Sequence, residues 1–170
     1  IEFDGLYWHS EVHKPNDYHQ VKSRLCREKG IRLLHIYGDD WLQKQDICKS
    51  IIKASLGIYE KRVFARKCEV RDISTSQYSE FLQENHIRGK VNSSIRKGLF
   101  FEDELLQVIG LGKSRFKKDE IELHRMCTKL NTQVVGGFSK LIASLDLESF
   151  VTFVDLALFD GKGYEATGFK

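Results

Sequence analysis

The sequence lacks several features that would assign a protein directly to one structural class. It contains one proline and four cysteines in 170 residues, and the cysteines form no C-x-x-C pair and no Cys/His cluster with zinc spacing. No apolar run approaches the roughly 18–20 residues of a membrane span. The charges nearly cancel, at 27 Lys and Arg against 24 Asp and Glu, which excludes a histone-like protein and an acidic tail. We expect reduced, buried thiols and no membrane segment.

The N-terminus also lacks the apolar stretch of a signal peptide, because Asp4, His9 and Glu11 interrupt it. A cytoplasmic protein is therefore expected. What the sequence does contain is 41% hydrophobic and 11% aromatic residues, enough to build a core. The length is compatible with one domain or two small ones.

The first half of the chain alternates between strand and helix patterns. Tyr18, Val21 and Leu25 form an apolar stripe with helical spacing, and a glycine ends this pattern. The predicted elements are a strand at 1–9, a helix between Pro15 and Gly30, a buried strand at 31–37, and a helix from its N-cap Asp40 to Leu56.

Periodicity lapses around 57–67, where we place a boundary between an N-terminal module at 1–62 and a C-terminal module at 63–170. Beyond it, Ser74 and Gln77 have the spacing of a capping box. The predicted elements that follow are a strand at 66–74, a helix, a hairpin at 93–111 with an acidic turn, a strand at 120–127, a helix after Gly136 and Gly137, a strand at 150–156 and a short helix at 161–167. The fold class is therefore α/β or α+β.

Candidate chemistry begins at the first residues. Glu2 and Asp4 lie two positions apart, so their side chains project from the same face of a strand, and His9 follows five residues later. Two such carboxylates can share a hard divalent cation, which can polarise a phosphodiester while an imidazole moves a proton. The alternative is that Glu2 and Asp4 occupy the solvated face of an edge strand.

The stretch IEFDGLYWHSE, followed by YHQVKSRLCREKGIRLLHIYGDDW, resembles the core of the very short patch repair endonuclease family and the homing endonucleases of the EDxHD class. The likeness covers about residues 1–56. It implies a partial restriction-endonuclease-like nuclease core. In the family, a further metal-binding aspartate and often a glutamate lie on a strand and a helix before this stretch, so we expect this chain to hold only part of the metal site.

The resemblance also implies roles for individual residues. His9 matches the catalytic histidine of the family, Asp4 stands where the repair enzymes have a second histidine, and Glu2 fits the acidic position of the wider PD-(D/E)XK pattern. Tyr7 and Trp8 match aromatic side chains that wedge between base steps. Three further residues occupy positions that recur in the homing branch, namely His19, Lys22 and Asp40. Each has a structural alternative. His19 can be a surface residue, Lys22 a solvated helix charge and Asp40 a helix N-cap.

The C-terminal half resembles the GNAT acyltransferase fold, and within it the Mom-like DNA-modification branch, on the stretches FLQENHIRG, LFFEDELL, VGGFSK and YEATGF. The likeness places Gly136 and Gly137 at a pyrophosphate-binding loop, where backbone N–H groups before a helix can bind phosphate. The alternative is a tight turn between a strand and a helix. Leu156 and Ala157 stand where polar groups are expected, which favours an accessory DNA-contacting role.

These patterns predict a Mg²⁺-dependent or Mn²⁺-dependent site-specific endonuclease of homing type that acts on double-stranded DNA in a bacterial or phage-infected cell. Predicted catalytic residues are Glu2, Asp4, His9 and His19, with Glu2 and Asp4 as metal ligands. Predicted DNA contacts are Tyr7, Trp8, Lys22, Arg66, Lys67, Arg96, Lys113 and Arg115. The alternatives are a GNAT-fold DNA-modifying transferase with Gly136 and Gly137 as donor-binding residues, and an inactive DNA-binding module.

Overall fold

A computed structural model describes residues 1–5 and 18–169 and combines helices with strands in mixed sheets, which confirms the predicted α/β class. The elements in chain order are β1 (Glu2–Asp4), α1 (Tyr18–Glu28), β2 (His35–Tyr37), α2 (Gly38–Gln43), α3 (Gln45–Ser55), β3 (Lys61–Phe64), a 3-10 turn (Ala65–Lys67), β4 (Glu69–Asp72), α4 (Thr75–Asn85), β5 (Ile95–Phe101), β6 (Glu104–Lys113), β7 (Ile121–Thr128), β8 (Thr132–Val135), α5 (Gly137–Ala143), β9 (Val151–Thr152) and α6 (Lys162–Glu165).

The chain divides into two compact units. The first comprises Ile1–Cys48 and Val154–Lys170, and the second comprises Lys49–Phe153. The division falls within α3, so 49–62 group with the second unit and the last stretch of the chain groups with the first. The sequence placed its boundary at 62/63. The nuclease-like and GNAT-like identities of the two modules stay predictions.

The first unit contains a parallel pair of short strands. β1 and β2 pair in parallel with Glu2 opposite His35 and Asp4 opposite Tyr37, and α1 lies between them in the chain. The returning C-terminal stretch adds a backbone hydrogen bond, in which the His35 N–H donates to the Ala157 carbonyl at 3.0 Å. The two strands therefore hold residues more than thirty positions apart in one fixed register.

The second unit is built on a five-stranded sheet in the order β4-β5-β6-β7-β9, antiparallel except for the last pair, beside a parallel pair of β3 and β8. The predicted hairpin is confirmed as β5 and β6, with Glu102 and Asp103 both at positive φ in the turn. The predicted capping box is confirmed at α4, where the Ser74 and Gln77 side chains each accept from the other residue's backbone N–H. In the core of the second unit, α4 packs against the sheet. The buried residues of this core are Ile73, Tyr78, Phe81, Leu82, Phe100, Val108 and Cys127.

Several predicted elements differ in extent. The single helix expected over 40–56 is two helices separated at Lys44, and Asp40, predicted to be an N-cap, lies inside α2. The strands expected at 31–37 and 150–156 contract to β2 and β9. Arg66 and Lys67 form a 3-10 turn instead of a strand, and β3 and β8, which pair with each other across a long stretch of chain, were not predicted. In the parts of the chain that the structure describes, no helix combines the length and the apolar character needed to cross a bilayer.

Candidate metal centre

The polarity of β1 is the reverse of an ordinary surface strand. Its apolar residue Phe3 is 57% exposed, whereas Asp4 is 1% exposed and the Glu2 side chain is 12% exposed. Strands normally bury the apolar face, because the burial of a charged group is costly unless other groups compensate it. The alternative of a solvated carboxylate face is therefore wrong. The groups that compensate the two buried carboxylates define the candidate site.

The pairing of β1 with β2 brings the first of these groups. Because side chains alternate along a strand, Glu2 and Asp4 share one face, and the parallel register places His35 directly opposite Glu2. His35 is 1% exposed. This face of the strand pair therefore carries two carboxylates and one imidazole.

Helix α1 supplies the groups on the other side. His19, Lys22 and Ser23 are spaced at i, i+3 and i+4, so they lie on one face of the helix, and each contacts a residue of the strand pair. Leu25, which the sequence placed on the buried stripe, is half exposed instead. Helix α1 thus turns a polar stripe towards the polar face of β1 and β2.

Four potential ligands converge at this point. The Nδ1 atom of His35 lies 2.9 Å from Asp4 Oδ2 and 3.7 Å from Glu2 Oε2, and the Nδ1 atom of His19 lies 3.7 Å from the same Asp4 oxygen. One ligating atom from each of the four residues Glu2, Asp4, His19 and His35 lies within 4.8 Å of all the others. The rings of His19 and His35 meet edge to face, with centroids 5.4 Å apart.

The electrostatics of the cluster are set by cations around the carboxylates. Burial raises the pKa of Glu2, but a hydrogen bond from Lys22 and the charges of Lys22, His35 and His19 outweigh it, so the pKa lies below its ordinary value. The Lys22 ammonium donates to Glu2 Oε1 at 2.7 Å. The other oxygen, Oε2, is buried and accepts no hydrogen bond from the described residues. Glu2 therefore remains a carboxylate with one oxygen directed into the cluster.

The residues present fit a divalent cation. Two carboxylates and two imidazoles are common protein ligands of transition ions, and a cation would give Glu2 Oε2 a partner. A metal-ligating histidine usually has a hydrogen bond at its other ring nitrogen. His35 has this bond, since its Nε2 lies 2.8 Å from the Ser23 hydroxyl.

Of the residues predicted to be catalytic, the structure brings Glu2, Asp4 and His19 together. His9, Tyr7 and Trp8 lie outside the described residues, and their roles stay predictions. His35 was missed, because a histidine inside the apolar run IRLLHIY was interpreted as part of a buried strand. The available signal was that His35 is the one imidazole within the apolar run LLHIY, where a buried polar group needs a partner.

The basic residues predicted to contact DNA have varied surroundings. Arg115 forms an ion pair with the buried Glu122, and Arg96 donates to the backbone carbonyls of Ser93 and Ile73. Lys22 pairs with Glu2, as described above. The remaining ones are exposed, at Arg66, Lys67 and Lys113. Exposed cations can reach a phosphate, and their role in DNA binding stays a prediction.

The glycine pair of the predicted phosphate loop has a packing explanation. Gly136 is the N-cap of α5 at φ 75°, a conformation that favours glycine. A Cβ on Gly137 would lie 2.1 Å from Gln107 Oε1 and 2.9 Å from Val134 Cγ1. Close packing therefore accounts for glycine at 137. Donor binding at these residues stays a prediction.

Comparisons with protein-family models, with curated proteins and with solved structures found no match to this chain.

Proposed function

We propose that the chain is a divalent-cation-dependent phosphodiesterase that cleaves DNA, with Glu2, Asp4, His19 and His35 as its metal centre. The observation that carries the proposal is the convergence of these four side chains within 4.8 Å on the buried face of β1 and β2. The resemblance of residues 1–56 to repair and homing endonucleases supplies the substrate class. The bacterial or phage-infected cell is the setting that this resemblance implies.

The residues of the cluster would have different roles in the reaction. Glu2 and Asp4, assisted by the two imidazoles, would hold the cation, which supplies stabilisation of negative charge on a phosphate when bound. Lys22, whose side chain is 41% exposed, has a positive charge at the edge of the cluster and can bind a phosphate oxygen. His9 remains the predicted proton acceptor.

The contacts of the described residues support the endonuclease more than the transferase alternative. Its sequence signal was the pair Gly136 and Gly137, and steric packing against Gln107 and Val134 accounts for Gly137. The helix that follows, α5, has only seven residues, too short for a substantial N-terminal dipole. We therefore keep the endonuclease as the proposal.

The test is a plasmid-nicking assay with the purified 170-residue chain, stripped of metal and supplied in turn with Mg²⁺, Mn²⁺, Co²⁺ or Zn²⁺. Because the four residues of the cluster can hold a cation among themselves, without the upstream aspartate that the resemblance implies, we expect nicking with at least one ion and none after chelation. Asp4→Asn, which keeps the side-chain shape, is expected to lose more than the roughly 10–100-fold that an outer hydrogen-bond partner costs. The control is Glu28→Gln, because the Glu28 side chain is exposed at the end of α1. This variant is expected to keep full activity.

The proposal is contradicted if no ion supports nicking by the native chain, if nicking persists under chelation, or if Asp4→Asn cuts like the native chain. Circular dichroism of each variant separates loss of the site from loss of folding. His9→Ala tests the predicted proton acceptor separately, because undiminished cutting by that variant rejects the role of His9 alone.

A further inference from the structure

The composition of the cluster says which cation it prefers. Half of its four potential ligands are imidazole nitrogens, and the sequence had suggested carboxylate ligands with Mg²⁺ or Mn²⁺. Imidazole suits Zn²⁺ and other later first-row ions, whereas Mg²⁺ selects oxygen ligands. We infer that this site binds a first-row transition ion of the Zn²⁺ or Co²⁺ type in preference to Mg²⁺, through Glu2, Asp4, His19 and His35. The inference rests on the proposed function, since it names the cation of the same centre.

Burial at the site points in the same direction. Mg²⁺ loses its water reluctantly and usually keeps several water ligands in a protein. Asp4 and His35 are each 1% exposed, and the cluster supplies four protein ligands at once. Four protein ligands of mixed nitrogen and oxygen type suit a zinc ion, and the five-coordinate state that such an ion can adopt would leave one position for a phosphate oxygen.

The distances require little movement for an ion to bind. Bonds from Zn²⁺ to nitrogen and oxygen are about 2.0–2.2 Å, so two ligands of one tetrahedral ion are about 3.3–3.6 Å apart. The measured separations around Asp4 Oδ2 and His35 Nδ1 run from 2.9 to 3.7 Å, and the largest in the cluster is below 4.8 Å. Small side-chain rotations therefore suffice.

Ser23 makes His35 able to act as a ligand. Without an ion, the 2.9 Å contact of His35 Nδ1 with Asp4 Oδ2 needs a proton on Nδ1, and the Ser23 hydroxyl can then donate to Nε2. With an ion on Nδ1, the ring proton moves to Nε2, and the same hydroxyl can accept from it. A hydroxyl serves both states because it is donor and acceptor. Ser23 is thus a positioning residue for His35.

The experiment is isothermal titration calorimetry of the full chain, stripped of metal, with ZnCl₂, CoCl₂ and MgCl₂ in separate runs. We expect one ion per chain and an affinity for Zn²⁺ at least about 100-fold above that for Mg²⁺. The Co²⁺ complex is expected to show visible absorption of a nitrogen- and oxygen-ligated site, which Zn²⁺ then abolishes by displacement.

Variants assign the ligands. His19→Gln is expected to weaken Zn²⁺ binding at least about 10-fold while changing Mg²⁺ binding much less, and His35→Gln is expected to do the same. Ser23→Ala is expected to weaken Zn²⁺ binding about 10-fold, and Ser23→Thr to restore it. His86→Gln, a histidine of the second unit, is the matched control. If His35→Gln fails to fold, His19→Gln decides the assignment, because that side chain is 25% exposed on α1.

Mg²⁺ binding as tight as Zn²⁺ binding would overturn the inference, and so would Zn²⁺ binding that both histidine variants leave unchanged. The first result leaves the proposed function standing if Mg²⁺ supports DNA nicking, whereas the second also removes the two histidines from the proposed metal centre. Conversely, selective Zn²⁺ or Co²⁺ binding with no nicking under any ion would sustain the inference and overturn the proposed function.

Discussion

Lys22 competes with a metal ion for Glu2, and its removal should strengthen cation binding. Its ammonium lies 2.7 Å from Glu2 Oε1, so a divalent ion that binds this carboxylate must either displace Lys22 or tolerate a like charge beside it. Lys22→Gln keeps a long polar side chain and removes the charge. We expect this variant to bind Zn²⁺ or Co²⁺ more tightly than the native chain.

The magnitude follows from the geometry. Two unit charges about 4 Å apart in an effective dielectric of roughly 20 interact by about 4 kcal/mol. The Lys22 side chain is 41% exposed, and solvent screening reduces exposed pairs to about 0.2–1 kcal/mol. Since Glu2 is mostly buried, we expect the charge of Lys22 to weaken ion binding by an amount between these limits, about 1–2 kcal/mol. This corresponds to roughly a 5-fold to 30-fold lower Kd.

The assay is calorimetric titration at pH 8 for the native chain and Lys22→Gln. Arg24→Gln is the control, because it removes a positive charge from the same helix at a side chain that is 68% exposed. It is expected to leave the Kd within about 2-fold. A Kd for Lys22→Gln that equals or exceeds the native value would refute the competition between Lys22 and the ion.

Two further predictions concern the second unit. Gly110→Ala is expected to destabilise the fold by about 3 kcal/mol or more, because its Cβ would lie 2.0 Å from the hydroxyl oxygen of the buried Tyr78; thermal unfolding measures the loss. Arg115→Gln is expected to destabilise by about 2–3 kcal/mol, since it leaves the 1% exposed Glu122 carboxylate without its ion-pair partner. Burial raises the pKa of Glu122, but Arg115 outweighs it and holds the pKa below its ordinary value. Its stabilising effect is therefore present above about pH 4.5 and lost as the pH falls, so the Arg115→Gln defect should shrink in acid.

Matched substitutions control both experiments. A Cβ at Gly163 would have no atom within 4 Å, so Gly163→Ala should change the free energy of unfolding by less than about 1 kcal/mol. An equal loss of stability from both glycine substitutions would exclude the steric explanation for Gly110. Lys117→Gln removes an exposed charge from the same loop as Arg115 and should cost less than about 0.5 kcal/mol. A defect of Arg115→Gln that stays constant or grows in acid would contradict the role assigned to Glu122.

Local signals predicted the second unit better than the first. The capping box at Ser74 and the hairpin of β5 and β6 depend on residues near one another in the chain, and both are confirmed. The break at Lys44 was not predicted, because no glycine or proline marks it in the sequence. β3 and β8 pair across about seventy residues, and no local pattern carries that information.

The candidate site was only partly predictable for the same reason. The spacing of Glu2 and Asp4 correctly placed both on one strand face. The identity of their neighbours depended on the register of β1 against β2 and on the orientation of α1, both of which are long-range. The apolar stripe of α1 misplaced Leu25, which is half exposed, because hydrophobicity cannot identify a helix that packs polar side chains against buried charges.

One substitution pair distinguishes a functional cluster from a structural one. Replacement of a buried ionic cluster by apolar residues of similar size is often neutral or stabilising, because the charges no longer have to be removed from water. The double variant Asp4→Val/His35→Leu removes the 2.9 Å contact between these two residues and replaces both with apolar side chains. If the cluster serves function, the metal-free double variant should be as stable as the native chain, within about 1 kcal/mol, and should bind no Zn²⁺. A loss above about 3 kcal/mol, measured by urea unfolding without metal, would instead show that Asp4 and His35 are required for the fold.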